Sequence, residues 1–214
     1  MTQRLASARE LRSRLADLPV PGSFSDVDLE GLPDPVRRYF KEAIAPGTPL
    51  ATSACFRMHG SIKLGRRWVP FGARQVLAPH YGFVWAARAG GVIVGSDRYV
   101  GGQGAMDWKL LGLVRVMHAV GPDLSRSAAG RAGAEALWVP TALLPRFGVT
   151  WTAIDPRHIT ASYRLDDTQL EVQFTLDDDA RVRSVVFDRW GRSHQQPELG
   201  VPLVRVRGDR VRDL

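Results

Sequence analysis

The sequence is poor in the features that most often announce a function. Its one cysteine, Cys55, excludes an internal disulfide and agrees with a reducing compartment. The flanks Ala54 and Phe56 read as strand, and no histidine accompanies the thiol, so it reads as structural. No apolar run approaches the roughly 20 residues of a spanning helix. The opening MTQRLASARELRSRLADL is amphipathic and arginine-rich without a continuous apolar core, so neither signal peptide nor membrane anchor is read and a cytoplasmic location is expected. That helix is also too poor in large apolar residues for firm contact with an anionic membrane. The five histidines, His59, His80, His118, His158 and His194, are widely separated and show no ligand spacing, so no metal is expected. GGQGAM lacks both the GxGxxG and the GxxxxGK[ST] patterns, no GxSxG elbow occurs, and no cofactor is expected.

What is present is an ordinary globular composition, 44% hydrophobic and 24% charged over 214 residues, enough for one domain with a sizeable core. The net charge of +7 lies in the middle of the chain. Residues 1–50 hold 7 basic and 7 acidic side chains, 51–150 hold 12 and 4, and 151–214 hold 10 and 11. The central charges arrive singly among apolar residues, which is the pattern of solvated strand faces and argues against nucleic acid. Only three of the 29 basic residues are lysine, so the arginine bias reflects overall composition as much as phosphate recognition.

Residues 2–17 are expected to form a helix, with Leu5, Ala8, Leu11 and Leu15 on one face. A breaker-rich linker from Val20 to Pro33 leads to a second helix carrying Val36, Tyr39, Phe40 and Ile44. From residue 51 the apolar period becomes two. Ala54, Phe56 and Met58 then share one face, opposite Cys55, Arg57 and His59. RRWVPFGARQVLA reads as a returning strand broken at Pro70. In YGFVWAAR, Tyr81, Phe83, Trp85 and Ala87 fall on one face, with Arg88 on the other. VIVGSDRYV runs back, and AMDWKLLGLVRVMHA reads as one long strand. GPDLSRSAAGRAGAEALW turns helical, capped by Asp123 or Ser125, with Leu124, Ala128, Ala132 and Leu137 toward the core. Four further strands follow, VTWTAID, HITASYRL, QLEVQFTL and RVRSVVFDRW, joined by acidic turns.

The expected fold is α+β: one curved antiparallel β-sheet of about eight or more strands, a half-barrel covered by helices. Residues 1–45 supply N-terminal helices that pack on the sheet, and residues 51–214 supply the sheet with an inserted helix at about 123–138, all as a single domain. AEALWVPTALLPRF, residues 134–147, cannot be one helix because of Pro140 and Pro145, and it is expected to pack its apolar side chains into the mouth of the curl.

The order LPDPVRRYF, WVPFGA, GFVWAAR, DRYVGGQGAM and EALWVPTALLP resembles a bacterial family known only as a domain of unknown function, over about residues 32–190. The positions on its pattern are Tyr39, Trp68, Phe71, Phe83, Trp85, Arg88, Asp97, Tyr99, Gly104, Met106, Glu135, Trp138 and Pro140. The resemblance implies no activity. It implies a look shared with curved half-barrels that hold lipids, as the periplasmic lipoprotein carriers do. The tail VRVRGDRVRDL departs from the pattern, which puts the last sheet edge in question.

The acidic runs Asp166–Asp167 and Asp177–Asp179 fall in turns, where carboxylates satisfy backbone. Glu135 needs a partner beside its apolar run, Arg131 or Arg88, and Asp97 reads as a buried strut. The candidate ligand-binding set is Trp68, Phe71, Phe83, Trp85, Arg88, Met106, Trp108, Glu135 and Trp138. It describes either a plain core or a concave pocket for a hydrophobic small molecule or lipid, with an arginine receiving an anionic head group. Two alternatives stand beside that reading: an enzyme acting on such a ligand through Glu135 or Asp97, and a module that binds a protein partner through basic faces or an open sheet edge.

Overall fold

The structure is a computed structural model that describes residues 20–187, together with Ser13 and the backbone of Arg205 and Val206. Apart from Ser13, the helix expected over residues 2–17 lies outside these residues. The described chain is mostly strand, in two antiparallel sheets with two helices. No helix among the described residues is long and apolar enough to cross a membrane.

The linker from Val20 carries a short 3-10 turn, Asp26–Leu29, closed by a capping box between Ser25 and Asp28. Helix α1 (Asp34–Ala43) begins with Pro35 in its first turn and buries Val36, Tyr39 and Phe40. Strands β1 (Ala54–Leu64), β2 (Arg67–Ala78), β3 (Gly82–Ala89), β4 (Ile93–Val100), β5 (Gln103–Leu110) and β6 (Val114–Val120) pair in chain order. Arg205 and Val206 add a two-residue strand against Gly60 and Ser61 of β1.

Three sequence expectations are corrected here. AMDWKLLGLVRVMHA is two strands, because Leu111 (φ 53°) and Gly112 (φ 74°) both turn left-handed and close a tight hairpin, with Leu113 N donating to Leu110 O at 3.0 Å. Strand β2 runs unbroken through Pro70. The Pro70 carbonyl accepts from Gly90 N at 2.8 Å, so the missing amide faces the side where β3 has already ended and no ladder bond is lost. Tyr81 ends the preceding turn and points to solvent instead of joining Phe83 and Trp85.

Helix α2 (Pro122–Glu135) follows β6, with Gly121 at its N-cap in place of the expected Asp123 or Ser125. Its buried positions are Ala129, Gly130, Ala132 and Gly133, so the smallest residues make the closest contact. Three 3-10 turns then span Ala136–Trp138, Pro140–Leu143 and Pro145–Phe147. This prolyl segment buries Val139, Ala142, Leu143 and Leu144, and two of its carbonyls and its Thr141 hydroxyl find partners in neighbouring segments. His80 Nε2 donates to Ala142 O at 2.7 Å, Trp151 Nε1 donates to Leu143 O at 2.9 Å, and Thr141 Oγ1 donates to Ala51 O at 2.6 Å.

The chain then starts a second sheet. Strands β7 (Thr150–Ala153), β8 (His158–Leu165), β9 (Thr168–Leu176) and β10 (Val182–Phe187) form a four-stranded meander that does not pair with the first. The expected single run of eight or more strands is therefore divided, because residues 121–149 carry the backbone away from β6 before strand pairing resumes. Helix α1 packs on the second sheet through Tyr39 and Phe40 against Trp151 and Phe174, with ring centroids 5.3 to 5.7 Å apart. Helix α2 touches both sheets. Gly104 of β5 admits the backbone of Leu124 and Ser125, and Gly133 sits against Leu170 and Val172 of β9.

Candidate functional site

Strand pairing sorts the larger sheet into two faces. One cross-strand row runs Phe56, Gln75, Trp85, Asp97, Met106, and the next runs Met58, Ala73, Ala87, Gly95, Trp108. These rows, with Phe71 and Phe83, form the inner face toward α2. Small residues in the second row leave space that large rings fill: Phe71 and Trp85 meet at 6.0 Å, and Trp85 and Trp108 at 5.6 Å. A side chain at Gly95 would lie 2.5 Å from the Trp108 ring. The aromatic rings are thus packed on one another over an alanine and glycine floor.

One polar cluster interrupts this face. The Arg131 guanidinium lies over the rings of Phe83 and Trp85, at 4.5 and 5.4 Å from their centroids. Its Nε donates to Glu135 Oε1 at 2.7 Å and its Nη1 to Asp97 Oδ2 at 3.3 Å. Gln75 Nε2 donates to the other Glu135 oxygen, and Trp108 Nε1 donates to Asp97 Oδ1 at 2.8 Å. Burial raises the Asp97 carboxyl above its usual range, against the opposing pull of Arg131 and Trp108. Between the two candidate partners for Glu135, the helix supplies Arg131. The cluster pins α2 to β2, β4 and β5, and the cavity beside it, between Phe83, Met106, Leu124 and Arg131, measures only about 70 Å³. Small-molecule sites usually need roughly 300–1,000 Å³.

The structure therefore brings Phe71, Phe83, Trp85, Met106, Trp108 and Glu135 together on the inner face. Arg88, Trp68 and Trp138 stand apart. Arg88 follows Trp85 by three residues and so projects from the opposite face, with Nη1 donating to Gly91 O at 3.0 Å. Trp68 is on that same outer face, 51% exposed. Trp138 is 40% exposed and meets Phe56 edge-on at 5.6 Å.

The outer face is the second candidate. Of the nine basic side chains between residues 51 and 120, Arg57, Lys63, Arg74, Arg88, Arg98, Lys109 and Arg115 leave the sheet on this side, Arg66 occupies the β1–β2 turn and Arg67 opens β2. The two acidic residues of the same stretch are Asp97, turned inward, and Asp107, which pairs with Arg115 at 3.2 Å. A shallow, widely open trough of about 510 Å³ crosses β1 to β4. Arg57, Arg74, Arg88 and Val94 wall it, and Gly72 and Ala86 form its floor. A Cβ at Gly72 would meet nothing within 4 Å. Arg57 and Arg74 are direct cross-strand partners, and no carboxylate among the described residues lies within 4 Å of either. Like charges set directly opposite are destabilising, so this pairing is costly in the free protein. Sequence reasoning read these arginines as solvated strand faces. The signal it missed is their common face: 57, 63, 74, 88 and 98 all fall on one side once the hairpin registers are known.

The profile of the Family of unknown function (DUF6544) matches residues 22–200. Neither a curated protein nor a solved structure matches the chain.

Proposed function

The chain belongs to that family, which brings no activity with it, and we propose from the geometry that the protein binds an anionic amphiphile on the outer face of its larger sheet. The anionic group sits in the trough between Arg57, Arg74 and Arg88, and the apolar part lies along Val94 and toward Trp68. The observation that carries this reading is the Arg57–Arg74 pair, two cations held face to face beside an open glycine floor without a carboxylate partner among the described residues. An anion bound there would turn a repulsive contact into charge-assisted hydrogen bonds. In this reading the two sheets and α2 make an open half-barrel within one domain, and its concave aromatic side is the packed core that keeps the outer face rigid. The contacts of α2 with both sheets support that shape.

The test is calorimetric titration of the full chain with dodecyl phosphate below its micelle concentration. An Arg57→Ala/Arg74→Ala variant should bind about tenfold or more weakly, the worth of one charged hydrogen bond at roughly 1.5–3 kcal/mol. Trp85→Leu should leave the affinity unchanged. The reverse pattern would return the ligand to the aromatic face.

A further inference from the structure

Strands β1 to β6 of the larger sheet run in chain order, so the β1–β2, β3–β4 and β5–β6 turns lie side by side at one end. Hydrogen bonds link them into a continuous rim: Gly90 N donates to Pro70 O at 2.8 Å, and Leu111 N donates to Val92 O at 2.7 Å. The rim is apolar where turns are normally polar. Leu111 is 67% exposed, Leu113 84%, and Val114, Val92 and Trp68 are also open to solvent. Leu111 further occupies a left-handed turn position (φ 53°) that favours glycine or asparagine and is unfavourable for a leucine. Neither its exposure nor its backbone helps the fold. A residue unfavourable on both counts points to a use outside the folded chain.

Basic groups accompany these tips. Arg66 occupies the first turn, Lys63 and Arg67 flank it, and Lys109 and Arg115 flank the third. No carboxylate occurs in any of the three turns. We propose that this rim docks the protein on a bilayer surface containing anionic lipids, with Leu111 and Leu113 entering the acyl region and the flanking cations meeting the head groups. Charge complementarity decides for a bilayer over a second copy of the chain, whose own rim would carry the same positive charge. The shape agrees: side chains that project singly from turn tips have no groove or flat face between them, and a fluid apolar phase needs none. This inference goes beyond the trough and does not depend on it.

The experiment is cosedimentation of the full chain with vesicles of phosphatidylcholine and phosphatidylglycerol at 3:1, and with phosphatidylcholine alone. Wild-type protein should sediment with the mixed vesicles and much less with the neutral ones, and added salt should release it. Leu111→Asp/Leu113→Asp, with an unchanged thermal unfolding curve, should reduce the partition coefficient about tenfold or more, the expected loss for removing leucine burial. Leu111→Asn alone relieves the backbone, so it should keep or raise stability while still weakening sedimentation. Wild-type protein left in the supernatant, or equal sedimentation of the double variant, would overturn the proposal. Self-association in analytical ultracentrifugation abolished by the same substitutions, without vesicle binding, would also overturn it and assign the rim to a second copy. Loss of dodecyl phosphate binding in the arginine variant with intact vesicle binding would leave this inference standing on its own.

Discussion

Gly72 on β2 and Gly95 on β4 lie on either side of β3 in one sheet and face opposite sides, and the same substitution should have different consequences at each. A methyl group at Gly95 would come within 2.5 Å of both the Asp107 carbonyl oxygen and the Trp108 ring, neither of which can yield without moving β5. Gly95→Ala should therefore cost about 1–3 kcal/mol, the usual range for overpacking, and denaturant unfolding will read it as a lower midpoint. Gly72→Ala meets open space, so stability should hold while dodecyl phosphate affinity falls as the trough floor rises. Equal stability losses at both sites would contradict the assignment of faces. Asp97 gives a second handle. Burial holds its native carboxyl above the ordinary value of 3.8, so the folded protein keeps a proton that the unfolded chain has lost. That contribution is complete below the unfolded value and disappears as pH rises through the native one. In Asp97→Asn the contribution is absent. The stability of the variant relative to wild type should then climb between about pH 4 and the native titration point and be flat on either side, as unfolding at stepped pH will show.

Elements were legible in the sequence where one side chain pattern decided them. The period of two in residues 54–64 and 82–89 specified the shared inner face of Phe56 with Met58 and of Phe83 with Trp85, and the apolar spacing of Val36, Tyr39 and Phe40 specified α1. The 103–120 hairpin was hidden because a leucine, not an asparagine or glycine, takes the first turn position, and Pro70 looked like a break because its missing amide faces past the end of β3. The separation into two sheets could not be read at all, since alternation says which residues share a face and nothing about which strands are neighbours. Of the candidate site, the inner group of Phe83, Trp85, Met106, Trp108 and Glu135 was foreseeable, whereas the Arg57–Arg74 opposition needed the β1–β2 register. The close approach of α2 is likewise a matter of register. Gly104 would place a Cβ 2.8 Å from Ser125 Cα and 2.9 Å from Leu124 O, while its own amide donates to Ser125 Oγ at 2.8 Å. Gly104→Ala should lift the first turn of α2, so that amides of residues 123–135 exchange faster with solvent while those of β2 and β3 keep their protection. Uniform acceleration across all of these elements would mean that the helix and the sheet open as one unit.

At the scale of the whole molecule, the larger sheet separates its chemistry by side, with aromatic packing inward and cations outward. The inner side is internally balanced, since Arg131 answers Asp97 and Glu135. The outer side is not, with Asp107 its lone carboxylate among the strands β1 to β6. Such a surface stores self-repulsion that a ligand, salt or a charge reversal can each relieve. Arg74→Glu places opposite charges at a direct cross-strand pair, worth roughly 0.2–1 kcal/mol, and removes one like-charge contact, so the free variant should be more stable than wild type. Wild-type melting temperature should rise with added salt, and further with phosphate than with chloride at equal ionic strength, because a multivalent anion can bridge Arg57 and Arg74 as well as screen them. In Arg74→Glu the phosphate increment should shrink to what surface exclusion alone supplies, while part of the general salt effect survives, carried by Arg88, Arg98 and Lys109. If phosphate and chloride act alike on wild type, the outer face is merely screened. If phosphate acts equally on both proteins, its effect is general exclusion from the protein surface and the trough holds no anion.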